Sequence, residues 1–275
     1  MKVYSTALFG NRYQQYLPTF TLAACNLFPR SEGWQVRIHT DDEFLNTDDG
    51  ALLLRLFAAD LVEMRVRDAA PLTKAMLWRV APVFEPGVSH VFCRDIDALP
   101  MPRDRVVCDQ FIRSEAAIGT CHDNVAHIGI MGGLCHFNVD KFIAQSGIKT
   151  MDELYAFAGS VPWQKHGVDQ DVLNRLISAR PSLTLLEHRY AGWKDGMPGK
   201  TDREAGVYDC QAWSTPTSNL GFCSRRGDYA ALLEADRLAP HLGSAGYDID
   251  EARSFWEAHG DPAIARIVHS CEMRD

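Results

Sequence analysis

Val91-Phe92-Cys93-Arg94-Asp95-Ile96-Asp97 closes a short apolar run with two aspartates one residue apart. The run reads as a buried strand of an α/β sheet, and the aspartates fall where it ends. In an extended segment residues i and i+2 point to the same side. Both carboxylates are therefore expected to reach one site. Open α/β sheets bind ligands outside the carboxyl ends of their strands. A carboxylate pair there suits a hard divalent cation that also carries a diphosphate.

The residues before this stretch alternate strand and helix patterns. Val3 to Phe9 reads as a first strand, broken by Gly10-Asn11. Tyr13, Leu17, Phe20, Ala24 and Phe28 form a helical stripe closed by Pro29 and Gly33. Trp34, Val36 and Ile38 alternate with Gln35, Arg37 and His39, a second strand ending at Thr40-Asp41. Ala51 to Ala59 reads as helix, Val62 to Val66 as strand and Leu72 to Phe84 as helix. This order predicts a mainly parallel sheet flanked by helices. Ligand groups should gather at three strand ends: Phe9-Gly10-Asn11, Thr40-Asp41, and Asp95 with Asp97.

Beyond residue 100 the reading gives a helix over Arg103 to Arg113 and strands over Ala116 to Thr120 and Ile128 to Phe137. Helices follow over Met151 to Ala158 and Asp169 to Ala179. Tyr190 to Thr217 is rich in Gly, Pro, Trp and polar residues and reads as a long loop. No linker divides the 275 residues, so one domain is expected, with a regular half over 1–100 and a less regular half over 101–275.

A net charge of -8 does not suggest a general polyanion binder. The N-terminus carries no long apolar run, so neither a signal peptide nor a transmembrane helix is expected. The eight cysteines form no Cys-x-x-Cys pair and read as reduced, buried thiols of a cytoplasmic protein.

Several further residues carry chemistry. Lys74 and Arg79 precede the aspartate strand and would reach a diphosphate across the strand ends. His122, Asp123 and His127 suit a sugar or acceptor pocket, or equally a turn. Gly132-Gly133 inside a strand pattern marks a bulge or a close backbone approach, with packing the favoured partner. Asp169 reads as a helix cap with Gln170 and Asp171 in the first turn, where polar contacts to a sugar hydroxyl or an anionic group are favourable. His269 would complete a metal site with Asp95 and Asp97, or serve a structural role.

Taken together, Arg94-Asp95-Ile96-Asp97, the Gly132-Gly133 stretch and Asp169-Gln170-Asp171-Val172-Leu173-Asn174 resemble GT-A-fold glycosyltransferases. The nearest pattern is that of retaining family 8, whose members use UDP-sugars. The resemblance covers roughly residues 1–180. It implies a GT-A fold with a Rossmann-like, mainly parallel central sheet and a loop-rich C-terminal acceptor region. It also implies a UDP-sugar donor and Mn²⁺ or Mg²⁺. By position, Phe9, Gly10 and Asn11 would lie along the nucleotide and Asp41 near the base. Arg79 would contact nucleotide or phosphate. Lys74, Arg94, Gly132 and Gly133 are further donor-site candidates. Asp95, Asp97 and His269 would hold the metal, and Asp169 and Gln170 would sit beside the transferred sugar. The C-terminus departs from the pattern: Ser-Cys-Glu-Met-Arg-Asp follows His269 where the family has Gly and then Lys-Pro-Trp. Arg274 or Lys200 would have to replace that lysine. Arg94 is also atypical, which places the chain on a divergent branch.

The implied reaction is hexosyl or pentosyl transfer from a nucleotide-sugar, with retention. Gln170 is a poor nucleophile; Asp169 or Asp171 would be a true one, and the sequence does not choose. A nucleotide-sugar or glycan-binding protein without turnover and a nucleotidyltransferase are the competing readings. The acceptor is open: a glycan, a protein, a small molecule or a modified nucleobase. Trp193, Tyr208 and Trp213 are candidates to stack on it, or to pack the loop.

Overall fold

The computed structural model describes residues 1–10, 13–98, 100, 102–122, 129–189 and 204–209. The described strands are β1 (Lys2–Ala7), β2 (Trp34–Thr40), β3 (Glu63–Val66), β4 (His90–Cys93), β5 (Ile118–His122), β6 (Cys135–Asn138), β7 (Leu185–Arg189) and β8 (Glu204–Asp209). They form one sheet in the order β3-β2-β1-β4-β6-β5-β7-β8. β6 runs antiparallel to both its neighbours, β4 and β5; every other pairing is parallel. The described helices are α1 (Leu17–Leu27), α2 (Asp42–Leu45), α3 (Asp48–Ala58), α4 (Leu72–Met76), α5 (Pro102–Arg113), α6 (Val139–Ser146), α7 (Met151–Ala158) and α8 (Val168–Ala179). This is the α/β, mainly parallel architecture that the alternation predicts.

Strand periodicity divides the core between the two faces of the sheet. Val3, Val91, Cys93 and Phe137 pack on one face with Leu154, Val172 and Leu176 of α7 and α8. Tyr4, Phe92, Trp34 and Val36 pack on the other with Phe20 and Leu27 of α1 and Phe111 of α5. Aromatic rings join the second layer: Tyr4 stacks on Phe28 at 4.0 Å between centroids, and Trp34 meets Phe92 at 5.1 Å.

The topology fixes where a ligand site falls. From β1 the chain lays β2 and β3 on one side, then returns to place β4 on the other. The order therefore reverses between β1 and β4, and the crevice outside their carboxyl ends is the switch point of the sheet. Because β6 is antiparallel, its amino end lies at the same edge as the carboxyl end of β4. The residues before β6 are thereby delivered beside those after β4.

Several local expectations are corrected. The stripe over 72–84 is two elements, α4 and a 3-10 helix over Leu77–Phe84 that contains Pro82. Proline has no N–H to donate and clashes with the preceding turn of an α-helix. The strand expected over 128–137 starts only at Cys135, and Gly132–Leu134 form a 3-10 turn ahead of it. Asp169 does not cap α8: Gly167 does, with φ 85°. The stretch 190–217 contains a strand, β8. Arg37 and His39 of β2 are both buried. β2 is an interior strand covered on both faces, and Arg37 is neutralised there by Glu63 and Glu85, each at 2.6 Å.

Candidate functional site

The aspartate segment leaves the sheet at once. The backbone N–H of Arg94 donates to Ser5 O at 2.9 Å, extending the ladder one residue past β4. Ala98 N–H then donates to Asp95 O at 3.1 Å, closing a turn. Asp95 and Asp97 thus lie in a turn, and the i, i+2 argument for a shared strand face does not hold. They remain electrostatic neighbours. Burial raises the Asp97 carboxyl above its ordinary value, and the charge of Asp95 raises it further.

Arg79 is the centre of the site. It projects from the 3-10 helix over Leu77–Phe84, which packs against β1 and β4. One guanidinium nitrogen, Nη1, donates to Asp95 Oδ1 and the other, Nη2, donates to Asp169 Oδ2 at 2.7 Å. The side chains of Arg79 and Asp169 are 2% and 3% exposed, whereas Asp95 is 39% exposed. Burial alone would lower the Arg79 pKa, but the two carboxylates outweigh it and hold the guanidinium protonated. Burial pushes the Asp169 carboxyl up, Arg79 opposes that shift, and Asp95 adds to it. A cation wedged between two acids from segments 74 residues apart, 169 − 95, is a fixed charge pattern at the sheet edge.

The paired glycines complete the cluster. A Cβ on Gly133 would collide with the Asp95 carboxylate, Oδ2 foremost. A Cβ on Gly132 would collide with Arg79 Nη2 and stand 2.6 Å from Asp169 Oδ2. It would also stand 3.4 Å from Gln170 Cγ. The glycines therefore serve close approach of backbone to charged groups, and packing between strands, the favoured expectation, is overturned. The structure brings together Arg79, Asp95, Gly132, Gly133, Asp169 and Gln170. Gln170 is half-buried and Asp171 is exposed on the first turn of α8.

Other candidates lie elsewhere along the edge. Asp41 Oδ1 accepts from Gly10 N–H at 3.2 Å and caps α2 by accepting from Phe44 N–H at 2.9 Å. That ties the end of β1 to the end of β2. Phe9 packs edge-on against Trp78 at 5.4 Å, beside Arg79 in sequence. Lys74 sits over the Tyr155 ring at 4.6 Å, with α7 as its surroundings. Arg94 is buried and paired with Asp104 of α5 at 3.3 Å. Its side chain is held by α5 within the fold. Asn11, Asp123, His127, Trp193, Lys200, Trp213, His269 and Arg274 lie outside the described residues. Tyr208 falls in β8, in register with His188.

As to a metal, Asp95 and Asp97 offer two neighbouring carboxylates, with Asp97 raised by burial and then by the charge of Asp95 while Arg79 and Arg94 oppose that shift. Paired carboxylates are the donor type that suits a hard divalent cation. Asp95 already has Arg79 on one oxygen, and the described residues contain no group of three or more His, Cys, Asp or Glu placed to hold a metal. Among the described residues no helix is long and apolar enough to cross a membrane.

Fold and site together define an α/β protein with a charged cluster at the sheet's switch point. Neither a family model nor a curated protein matches the sequence. Solved structures of similar fold include the glycosyltransferase GlyE of Streptococcus pneumoniae, 16% identical over 68% of this chain and 44% of that one, with a TM-score of 0.41. This chain thus spans less than half the length of GlyE. A mannosyltransferase of Pyrobaculum calidifontis, solved with GDP-Man and Mn²⁺, is 12% identical over 98% of this chain and 78% of its own, with a TM-score of 0.45. Mouse xyloside xylosyltransferase 1 is 13% identical over 70% and 87%, with a TM-score of 0.39.

Proposed function

We propose that the chain is a glycosyltransferase that takes a sugar from a nucleotide diphosphate donor, UDP by the resemblance, and passes it to an acceptor with retention. The observation that carries the reading is the Arg79 bridge between Asp95 and Asp169 at the switch point, lined by Gly132 and Gly133. Sequence segments that resemble one enzyme family are far apart in the chain, yet they meet at the place where this sheet type accepts ligands.

Asp95 and Asp97 would hold a divalent cation, whose chemistry is to neutralise the charge that develops on the departing diphosphate. The chain's own residues set the rest. Asp169 is buried and bonded to Arg79, which makes it a holder of the guanidinium and not a nucleophile. Gln170, half-buried beside the glycine turn, would present its amide to the electron-poor sugar ring or orient the acceptor. Phe9, Gly10 and Asp41 form the neighbouring strand ends along which the nucleoside would lie.

Isothermal titration of UDP in the presence of Mn²⁺ and then of EDTA tests the reading. Metal-dependent binding is expected, and it should vanish in Asp95→Asn/Asp97→Asn. Absence of binding to UDP, GDP, CMP and dTDP alike would sink it. Binding without turnover of any UDP-sugar would leave a binding protein, and an inverted anomer by product NMR would remove retention.

A further inference from the structure

Asn174 was no site residue on sequence grounds, although it closes the Asp-Gln-Asp-x-Leu-Asn string. Among the described residues its amide makes three bonds to backbone groups. Oδ1 accepts from Ile130 N–H at 2.8 Å. Nδ2 donates to Ile130 O at 3.2 Å and to Gln170 O at 2.9 Å. The partners fix the orientation of the amide: a flip would set NH₂ against an N–H and an oxygen against two carbonyls. Asn174 therefore reads both backbone groups of one residue, as a neighbouring strand would. Ile130 belongs to no described strand, so this side chain supplies the pairing that its backbone needs.

The surroundings are shaped for the contact. Gly129 has φ 72°, and a Cβ there would collide with Asn174 Oδ1. Both features require glycine. Ile130 itself is anchored in the core with Val168, Val172 and Leu173 of α8.

We infer that Asn174 is a positioning residue that fastens the first turn of α8 to the glycine turn and so sets the geometry of the Arg79 bridge. The bond to Gln170 O grips the turn that carries Asp169. The bonds to Ile130 grip the chain two residues before Gly132. One amide thus fixes the separation between Asp169, which holds Arg79, and Gly133, which lies against Asp95. Among the described residues, the bonds of the Asn174 amide go to backbone groups and not to the charged side chains. Its catalytic consequence rests on the glycosyltransferase reading; its structural consequence does not.

The test uses Asn174→Ala in the full chain, with Asn174→Asp as the second variant. The isosteric carboxylate keeps the acceptor, loses both donated bonds and serves if the alanine variant does not fold. Ser178→Ala, one turn further along α8, is the control. Hydrogen exchange read by NMR or mass spectrometry is expected to accelerate at least tenfold at Ile130 and the Gly132–Gly133 turn in Asn174→Ala, and at the Gly132–Gly133 turn in Asn174→Asp, with the sheet unchanged. Displacements of about 1 Å at a reacting centre reduce rate by about 100-fold. UDP-sugar turnover should accordingly lose kcat on that order while KM for the donor stays within threefold. Unchanged exchange at Ile130 in Asn174→Ala, or at the Gly132–Gly133 turn in Asn174→Asp, would overturn the inference. So would exchange rising throughout the chain, or KM rising with kcat intact. If the unaltered protein turns over no nucleotide-sugar, the functional reading fails, and the exchange result still decides whether Asn174 is the fastening.

Discussion

Arg79 shows what a single residue contributes when its charge is shared between two elements. Its guanidinium is almost fully buried, and Nε has no hydrogen-bond partner among the described residues. Leaving a buried donor unpaired costs about 1–3 kcal/mol. Replacing Arg79 by an apolar residue would strand Asp169 as an unpaired buried carboxylate. Breaking a buried pair from one side costs about 3–5 kcal/mol, whereas replacing both partners is often neutral. Arg79→Met should therefore lower stability to urea by about 3–5 kcal/mol, and Arg79→Met/Asp169→Asn should recover at least half of that. Equal destabilisation of single and double variants would show that Asp169 does not depend on Arg79. Gly133 gives the complementary case. Gly133→Ala drives a methyl into the Asp95 carboxylate; overpacking of this kind costs about 1–3 kcal/mol. Turnover should fall with stability, because Asp95 is the group displaced. Unaltered UDP-sugar turnover in a folded Gly133→Ala protein would refute the close approach.

At the scale of the element, α8 brings Asp169 to the site without help from a side-chain cap. Gly167 starts the helix in a left-handed conformation, φ 85°, and a Cβ there would meet nothing within 4 Å. Gly167→Ala should thus lose only the backbone term, about 1–2 kcal/mol in thermal or urea unfolding, and leave nucleotide affinity unchanged. A larger loss would mean that the start of α8 is held by more than its dihedral. The same helix shows which parts of the sequence are legible. Its extent over Asp169 to Ala179 was readable, with an apolar face beginning at Val172 and Leu173, because periodicity reports burial. Its cap was misread because Asp169 is an excellent cap by type, and only the distant Arg79 turns it inward. Gly132-Gly133 was misread similarly: a glycine pair signals close approach, but its neighbours are set by the antiparallel pairing of β6. The strand ends themselves were legible, since alternation of β and α patterns sets the sheet edge without any long-range knowledge. Arg94 looked like a ligand-site residue from its place beside Asp95; it is buried against Asp104, a partner 10 residues on, 104 − 94, supplied by α5.

For the whole molecule, the sheet buries imidazoles that the site does not use, and this sets an acid limit on the fold. His136 on β6 and His188 on β7 are both buried. Burial, reinforced by His188 and Arg94, pushes His136 down to about 3, and burial pushes His188 down to about 4. His39 on β2 is also shifted well down, first by burial and then by Arg67, Arg37 and Arg65. In the unfolded chain each titrates near its ordinary value of about 6.5. Between about 6.5 and the depressed folded values, the unfolded state binds protons that the folded state refuses. Stability is therefore full above about pH 6.5 and falls as the pH drops through that window. One such group gives a slope of up to about 1.4 kcal/mol per pH unit, so His136 and His188 together give about 2–3 kcal/mol per unit. The raised carboxyls of Asp97 and Asp169 act in the opposite sense. Their folded forms bind protons more readily than the unfolded chain, which softens the acid loss. Urea midpoints at pH 7.5, 6.5 and 5.5 should change little over the first interval and drop over the second. His188→Gln should flatten the second interval by about 1 kcal/mol per unit, because glutamine keeps a polar side chain there without a titrating ring. A profile flat to pH 5 would mean that these imidazoles gain protons in the folded sheet, and that the strands between α5 and the edge open to water.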